Sequence, residues 1–110
     1  MKCSVIFTDA ASFEVLQIEE WIAERSRKGA ATWQAALFAA ANKLSDRGPE
    51  FSLAPEADLF AEPIRQILFR TRRGLTYRAL FVVRDETVIV VSVRGFGQDL
   101  VGPNDVMMPD

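Results

Sequence analysis

Histidine is absent from the 110 residues. That excludes a histidine general acid or base, a histidine-containing nucleophilic triad and any histidine metal site. A single cysteine, Cys3, excludes an internal disulfide and a cysteine-cluster zinc site, and it fits a reducing cytoplasm. With no histidine to activate it, Cys3 reads as a strand residue. There is one tyrosine, Tyr77. No apolar run approaches the ~20 residues that span a bilayer, and the N-terminus lacks the pattern of a secretory signal. No glycine-rich phosphate loop occurs: Gly95-Phe96-Gly97 is too short and no helix follows it. Glu19-Glu20 sits on a helix face that reads as solvated, so it is a weak catalytic pair. The expectation is one cytoplasmic domain over 1–110, with no cofactor, no metal and no membrane contact.

What is present is concentrated in Ile64–Asp99. Three runs rich in Val, Ile, Leu, Phe and Tyr are separated by Arg72-Arg73-Gly74 and by Asp85-Glu86. Short polar breaks make such runs consecutive antiparallel neighbours, because a parallel return needs a dozen or more residues. If Asp85 and Glu86 form a two-residue turn, Arg84 faces Thr87. Val83 then faces Val88, Val82 faces Ile89, Phe81 faces Val90, Leu80 faces Val91, Ala79 faces Ser92, Arg78 faces Val93 and Tyr77 faces Arg94. Both faces of this meander are apolar at the centre, so both need cover. One cover is expected from the rest of the chain and the second from a partner.

Charge is unevenly placed. Residues 1–63 carry six basic and ten acidic side chains, a net of −4. Residues 64–101 carry seven arginines against three acids, a net of +4. Arginine forks bind phosphate and carboxylate. The meander therefore reads either as a set of solvated edge charges or as a surface for an anionic partner.

Upstream, residues 3–8 read as a short strand. Ala11, Val15, Ile18 and Ile22 follow the helical period, with Glu14, Glu19, Glu20 and Glu24 on the other face. This predicts a helix capped by Asp9 or Ser12 and ended near Lys28-Gly29. Trp33, Leu37, Ala40 and Leu44 predict a second helix from Thr32 to the Asp46-Arg47-Gly48-Pro49 stop. The two form an antiparallel hairpin. Trp21, Ile18, Ile22, Trp33, Leu37 and Leu44 are expected to pack on Leu80, Val82, Ile89, Val91 and Val93. Residues 48–63 read as an irregular crossing, with one helical turn near Pro55–Phe60 and with Phe51, Leu53, Leu59 and Phe60 as anchors. Residues 102–110 read as a loosely held tail.

The ordered set resembles the RelE/ParE superfamily of toxins from type II toxin–antitoxin systems, over about residues 3–100. Val15, Ile18, Trp21 and Ile22 match its first helix. Ile64-Arg65-Gln66 resembles its Ile/Val-Arg strand opening, and Tyr77-Arg78-Ala79-Leu80-Phe81 its Tyr-Arg-x-x-Tyr/Phe core. Val91-Ser92-Val93-Arg94-Gly95 with Gln98-Asp99 resembles its closing strand. The resemblance implies an α+β fold, with an N-terminal strand and an αα-hairpin packed on one face of an antiparallel sheet. It implies a small cytoplasmic toxin neutralised by a cognate antitoxin that wraps the sheet, as a homodimer or a toxin–antitoxin hetero-oligomer.

ParE-like members poison DNA gyrase without chemistry of their own. RelE-like members cut messenger RNA on the ribosome. For a nuclease, the matching residues are Arg65, Arg78 and Tyr77. For partner or target binding they are Arg65, Arg70, Arg78, Arg94, Gln98 and Asp99. Gly95 stands where many ParE-like members carry histidine. After Arg94 there is no Lys, Arg, Tyr or His, which departs from the nuclease pattern. Arginine stabilises charge but does not exchange protons, so Tyr77 or a carboxylate would have to be the base. The expectation is therefore a ParE-like toxin, with a RelE-like ribonuclease or an inactive antitoxin binder as alternatives.

Overall fold

In the computed structural model, which describes residues 3–71 and 74–95 together with Gly102, Val106, Met108 and Pro109, the elements follow from caps and turns. Strand β1 (Ser4–Phe7) leads into helix α1 (Asp9–Ala23). The cap is Thr8, whose Oγ1 accepts the Ala11 N–H at 3.1 Å. Helix α2 (Arg27–Arg47) begins at Ser26, whose Oγ accepts the Gly29 N–H at 2.9 Å. The break between the helices therefore lies at Glu24–Ser26, not at Gly29–Thr32 as periodicity suggested. Two potential caps compete over six residues, and Ser26 takes the position. Thr32 then falls inside α2, where its hydroxyl donates back to the Lys28 carbonyl at 2.9 Å.

Gly48 ends α2 as expected. A Cβ at Gly48 would lie 2.6 Å from Val88 Cγ2, and Val88 is fully buried. Glycine is needed here for close approach rather than for backbone freedom. Gly48→Ala is expected to lower stability by about 1–3 kcal/mol through overpacking. A thermal melt checks this; an unchanged midpoint would mean that α2 and β4 can separate freely at that point.

The meander consists of β2 (Arg65–Arg70), β3 (Thr76–Arg84) and β4 (Thr87–Gly95). The sheet order is β1-β4-β3-β2. β1 lies parallel to β4, with Ser4 opposite Thr87, so the sheet is mixed rather than wholly antiparallel. The αα-hairpin and later elements intervene between β1 and β4, which is the length a parallel return requires. Arg72 and Arg73 of the first turn lie outside the described residues. In the second turn Asp85 takes φ 54°, a left-handed conformation that Asp tolerates better than most residues.

The expected register holds from Arg84↔Thr87 to Phe81↔Val90. A bulge then shifts it between Leu80 and Phe81. Beyond the bulge Leu80 pairs with Ser92, Ala79 with Val93, Arg78 with Arg94 and Tyr77 with Gly95. A bulge places one extra residue in a strand and moves every later side chain by one position. The expected Tyr77–Arg94 neighbourhood is thereby replaced by Arg78–Arg94.

The core has two parts, one on each face of the sheet. The helices cover Tyr77, Ala79, Phe81, Val88, Val90 and Val93 with Ala11, Trp33, Leu37, Ala40 and Leu44. Val15, Ile18 and Ile22 flank this cluster. Leu80, Val82, Ile89 and Val91 face the opposite way, contrary to expectation, while Val93 is brought to the helix side beyond the bulge. Trp21 is also not core: it is 51% exposed, and the Arg25 guanidinium stacks 3.8 Å from its ring centroid.

The second face is covered by the chain itself. Ala54, Ile64 and Val106 bury it, with Phe60 and Met108 packed alongside. The crossing segment carries two short 3-10 turns, η1 (Gly48–Glu50) and η2 (Ala57–Leu59). Phe51 instead joins the helix-side core, edge-on against Phe81 at 6.3 Å. Leu53 and Leu59, expected as anchors, are exposed. The tail, expected to be loose, contributes Val106, which is 8% exposed. Among the described residues no helix is long and apolar enough to cross a membrane.

Candidate functional site

The arginines of the meander sort by where alternation and the bulge send them. Arg78 points away from the helices and is 6% exposed. Its Nη1 donates to Glu56 Oε1 at 2.7 Å, its Nη2 donates to Glu56 Oε2, and Nη1 also reaches Gln66 Oε1 at 3.2 Å. Glu56 is itself 1% exposed. This is a buried bidentate pair, the geometry in which an arginine fork meets a carboxylate best. It also neutralises one of two arginines that face each other across β3 and β4, an arrangement that is otherwise repulsive. Arg78 was expected on a binding surface; it is instead the anchor of the crossing segment.

Two further arginines hold the same segment. Arg84 Nη2 donates to Glu62 Oε1 at 2.5 Å, with both side chains about one-third exposed. Arg65 Nη1 donates to the Phe51 carbonyl at 2.6 Å. The basic meander thus finds much of its acidic counterpart inside the chain. The second face, expected to need a partner for its cover, is covered by Ala54 and Phe60 of this segment together with Ile64, Val106 and Met108. Glu56 escaped the sequence reading, although the signal was there: a net −4 over residues 1–63 precedes a net +4 over residues 64–101.

Arg94 occupies a different place. Its Nε donates to Ser92 Oγ at 3.3 Å and lies 3.9 Å from Glu14 Oε2. Glu14 reaches from α1 to β4: Oε1 accepts the Val93 N–H at 3.2 Å and Oε2 accepts the Ser92 hydroxyl at 3.3 Å. β1 pairs β4 only as far as Val90, so this carboxylate takes over the strand's edge where β1 stops. Helix periodicity had placed Glu14 in solvent. Arg70 is exposed at the end of β2. Gln98 and Asp99 lie outside the described residues.

Tyr77 lies on the helix side, 8% exposed, between Trp33 at 5.5 Å and Phe69 at 5.9 Å. Burial pushes its hydroxyl above the ordinary phenol range. The three residues matched to a nuclease are therefore separated: Tyr77 and Arg78 turn to opposite faces, and Arg65 is bound to the Phe51 carbonyl. Among the described residues no three acidic or cysteine side chains are grouped to hold a metal ion.

A second feature lies along the free side of α2 and β2. A hollow of about 420 Å³ is lined by Ala36, Ala39, Ala40 and Lys43 of α2 and by β2 through Arg70. A smaller one of about 270 Å³ continues it past Lys43 to Arg47, Phe51 and Ser52. Among the described residues no acidic side chain lines either. No protein-family model matches this chain, and no curated protein matches it.

Proposed function

We propose that this protein is the toxin of a type II toxin–antitoxin system, of the ParE-like kind that inhibits DNA gyrase by binding and is neutralised by a cognate antitoxin. The ordered residues of the RelE/ParE resemblance support the family. The strand, αα-hairpin and three-stranded meander are compatible with it. The choice of a binding toxin over a ribosome-dependent ribonuclease rests on one observation: Tyr77 and Arg78 face opposite sides of the sheet. A proton-exchanging group and a phosphate-stabilising group must meet at one phosphate. Here the first is packed among aromatics and the second is held by Glu56.

Induced expression in cells tests the reading. Growth arrest with a DNA-damage response and intact messenger RNA is the expected result. Tyr77→Phe should leave growth arrest within about twofold of the parent, since it keeps the ring packed between Trp33 and Phe69 and removes only a hydroxyl that a binding toxin does not use, whereas acid–base catalysis is worth roughly 10²–10⁴-fold where it operates. Arg94→Ala should weaken it. Ribosome-dependent RNA cleavage that disappears in a stably folded Tyr77→Phe variant would overturn the reading.

A further inference from the structure

We propose that the hollow where the turn of the helical hairpin meets the end of β2 and the start of β3 binds a small, uncharged, flat aromatic molecule that carries a hydrogen-bond acceptor. The proposal goes beyond the toxin reading above and does not rest on it.

The hollow is built from elements that meet only in the folded chain. Trp21 and Ile22 come from the last turn of α1 and Trp33 from the second turn of α2. Thr71 follows β2, Leu75 precedes β3, and Tyr77 lies within β3. The volume is about 410 Å³. Small-molecule sites run from about 300 to 1,000 Å³ and are lined mainly by aromatic and aliphatic side chains, with a few polar groups that fix orientation. Two large apolar side chains of the lining stand open to solvent: Trp21 is 51% exposed and Leu75 is 65% exposed. The Trp21 ring is held in place, because the Arg25 guanidinium stacks on it at 3.8 Å and donates to the Trp21 carbonyl at 2.8 Å. A wall that is already ordered loses less freedom when a ligand binds.

Trp33 states what the ligand must carry. It is 2% exposed, and its buried Nε1 has no hydrogen-bond partner among the described residues. Buried donors are nearly always paired, so this one marks a place for an acceptor. An oxygen on a ligand in the hollow that Trp33 lines would supply it. Among the described residues no acidic or basic side chain lines the hollow. A charged ligand would therefore lose its hydration without gaining a counter-charge. The rings of Trp21, Trp33 and Tyr77 favour a flat aromatic body, which packs against them by face or edge.

The test uses the full chain, labelled with nitrogen-15, and three probes. Coumarin is a neutral bicyclic aromatic with a carbonyl oxygen. Naphthalene is a bicycle of similar shape without an acceptor. Coumarin-3-carboxylate is the charged counterpart. The chain has two tryptophans, and Trp21→Phe tells their indole resonances apart. Coumarin is expected to bind saturably and to move the Trp33 indole proton downfield. Trp33→Phe should weaken coumarin roughly threefold to tenfold, the worth of one hydrogen bond, and naphthalene by less than about twofold. Coumarin-3-carboxylate should bind roughly tenfold more weakly than coumarin. Leu75→Ala removes an exposed wall, so it should weaken both neutral probes without lowering the melting temperature.

No saturable shift of the Trp33 indole with coumarin, equal weakening of coumarin and naphthalene by Trp33→Phe, or equal binding of the carboxylate would overturn the proposal. The coumarin shift is read on the parent chain, so it decides even where Trp33→Phe fails to fold. Saturable shifts with the peptide acetyl-Ala-Leu-Phe-Leu-Ala-amide where coumarin gives none would assign the hollow to a partner chain, and would overturn it too.

Discussion

Glu56→Gln is expected to lower stability by about 3–5 kcal/mol, the range seen when one partner of a buried ion pair is removed. The substitution keeps the shape of the side chain and deletes its charge. Arg78, 6% exposed, then holds a buried charge with only Gln66 and a neutral amide to receive it. The loss should spread, because Glu56 lies two residues from Ala54, which seals the second core together with Ile64. For a domain of this size the midpoint should fall by roughly 12 °C or more. The paired replacement Glu56→Leu with Arg78→Met should recover most of the loss, since apolar pairs often match or exceed the buried ion pairs they replace. Urea unfolding of the two single variants and the double variant completes the cycle. A Glu56→Gln variant within about 0.5 kcal/mol of the parent would show that the pair contributes nothing, and Arg78 would return to the list of residues available to a ligand.

The second large effect belongs to Trp33. It is 2% exposed, at the centre of the helix-side core, with Phe69 at 5.8 Å and Tyr77 at 5.5 Å. Trp33→Ala should cost about 3–5 kcal/mol, the usual price of emptying a large aromatic site. Trp33→Phe should cost about 1 kcal/mol or less. The reason is specific: the buried Nε1 of Trp33 has no acceptor among the described residues, and such a donor carries a desolvation penalty of about 1–3 kcal/mol. Phenylalanine removes that penalty while keeping most of the ring packing. Denaturant melts of the two variants separate the contributions. If Trp33→Phe were as damaging as Trp33→Ala, the indole N–H would have to be bonded in solution.

Local chemistry was readable over most of the chain. Val15, Ile18 and Ile22 follow the helical period and flank the core as it requires, and Trp33, Leu37, Ala40 and Leu44 are buried along one stripe of α2. Asp85-Glu86 made a hairpin turn whose register holds to Phe81↔Val90. The helix break was misplaced because Lys28-Gly29 reads as a helix end and Thr32 as a cap, whereas Ser26 caps α2 and the helix runs through all three.

The candidate site was less readable. That seven arginines crowd the second half is plain in the sequence. Which of them a partner could reach is not. Arg70 is exposed, Arg94 is tied to Ser92 and Glu14, and Arg65, Arg78 and Arg84 are held by the crossing segment.

Sequence alone determined the quantities that depend on near neighbours: helical period, strand alternation, the turn at Asp85-Glu86 and the opposed charges of the two halves. Tertiary structure decided the rest, because each remaining item depends on groups far apart in the chain. The bulge near Leu80 sets which face Val93 meets, and no local pattern marks it. The parallel placement of β1 beside β4 joins residues more than eighty positions apart. Glu56 and Arg78 stand 22 residues apart, and their pairing turns an acidic segment that read as a mere crossing into the cover of the second face. A carboxylate and a guanidinium attract across any loop, so composition shows that such a pairing is available. Only the closed fold, with water excluded, selects the partner.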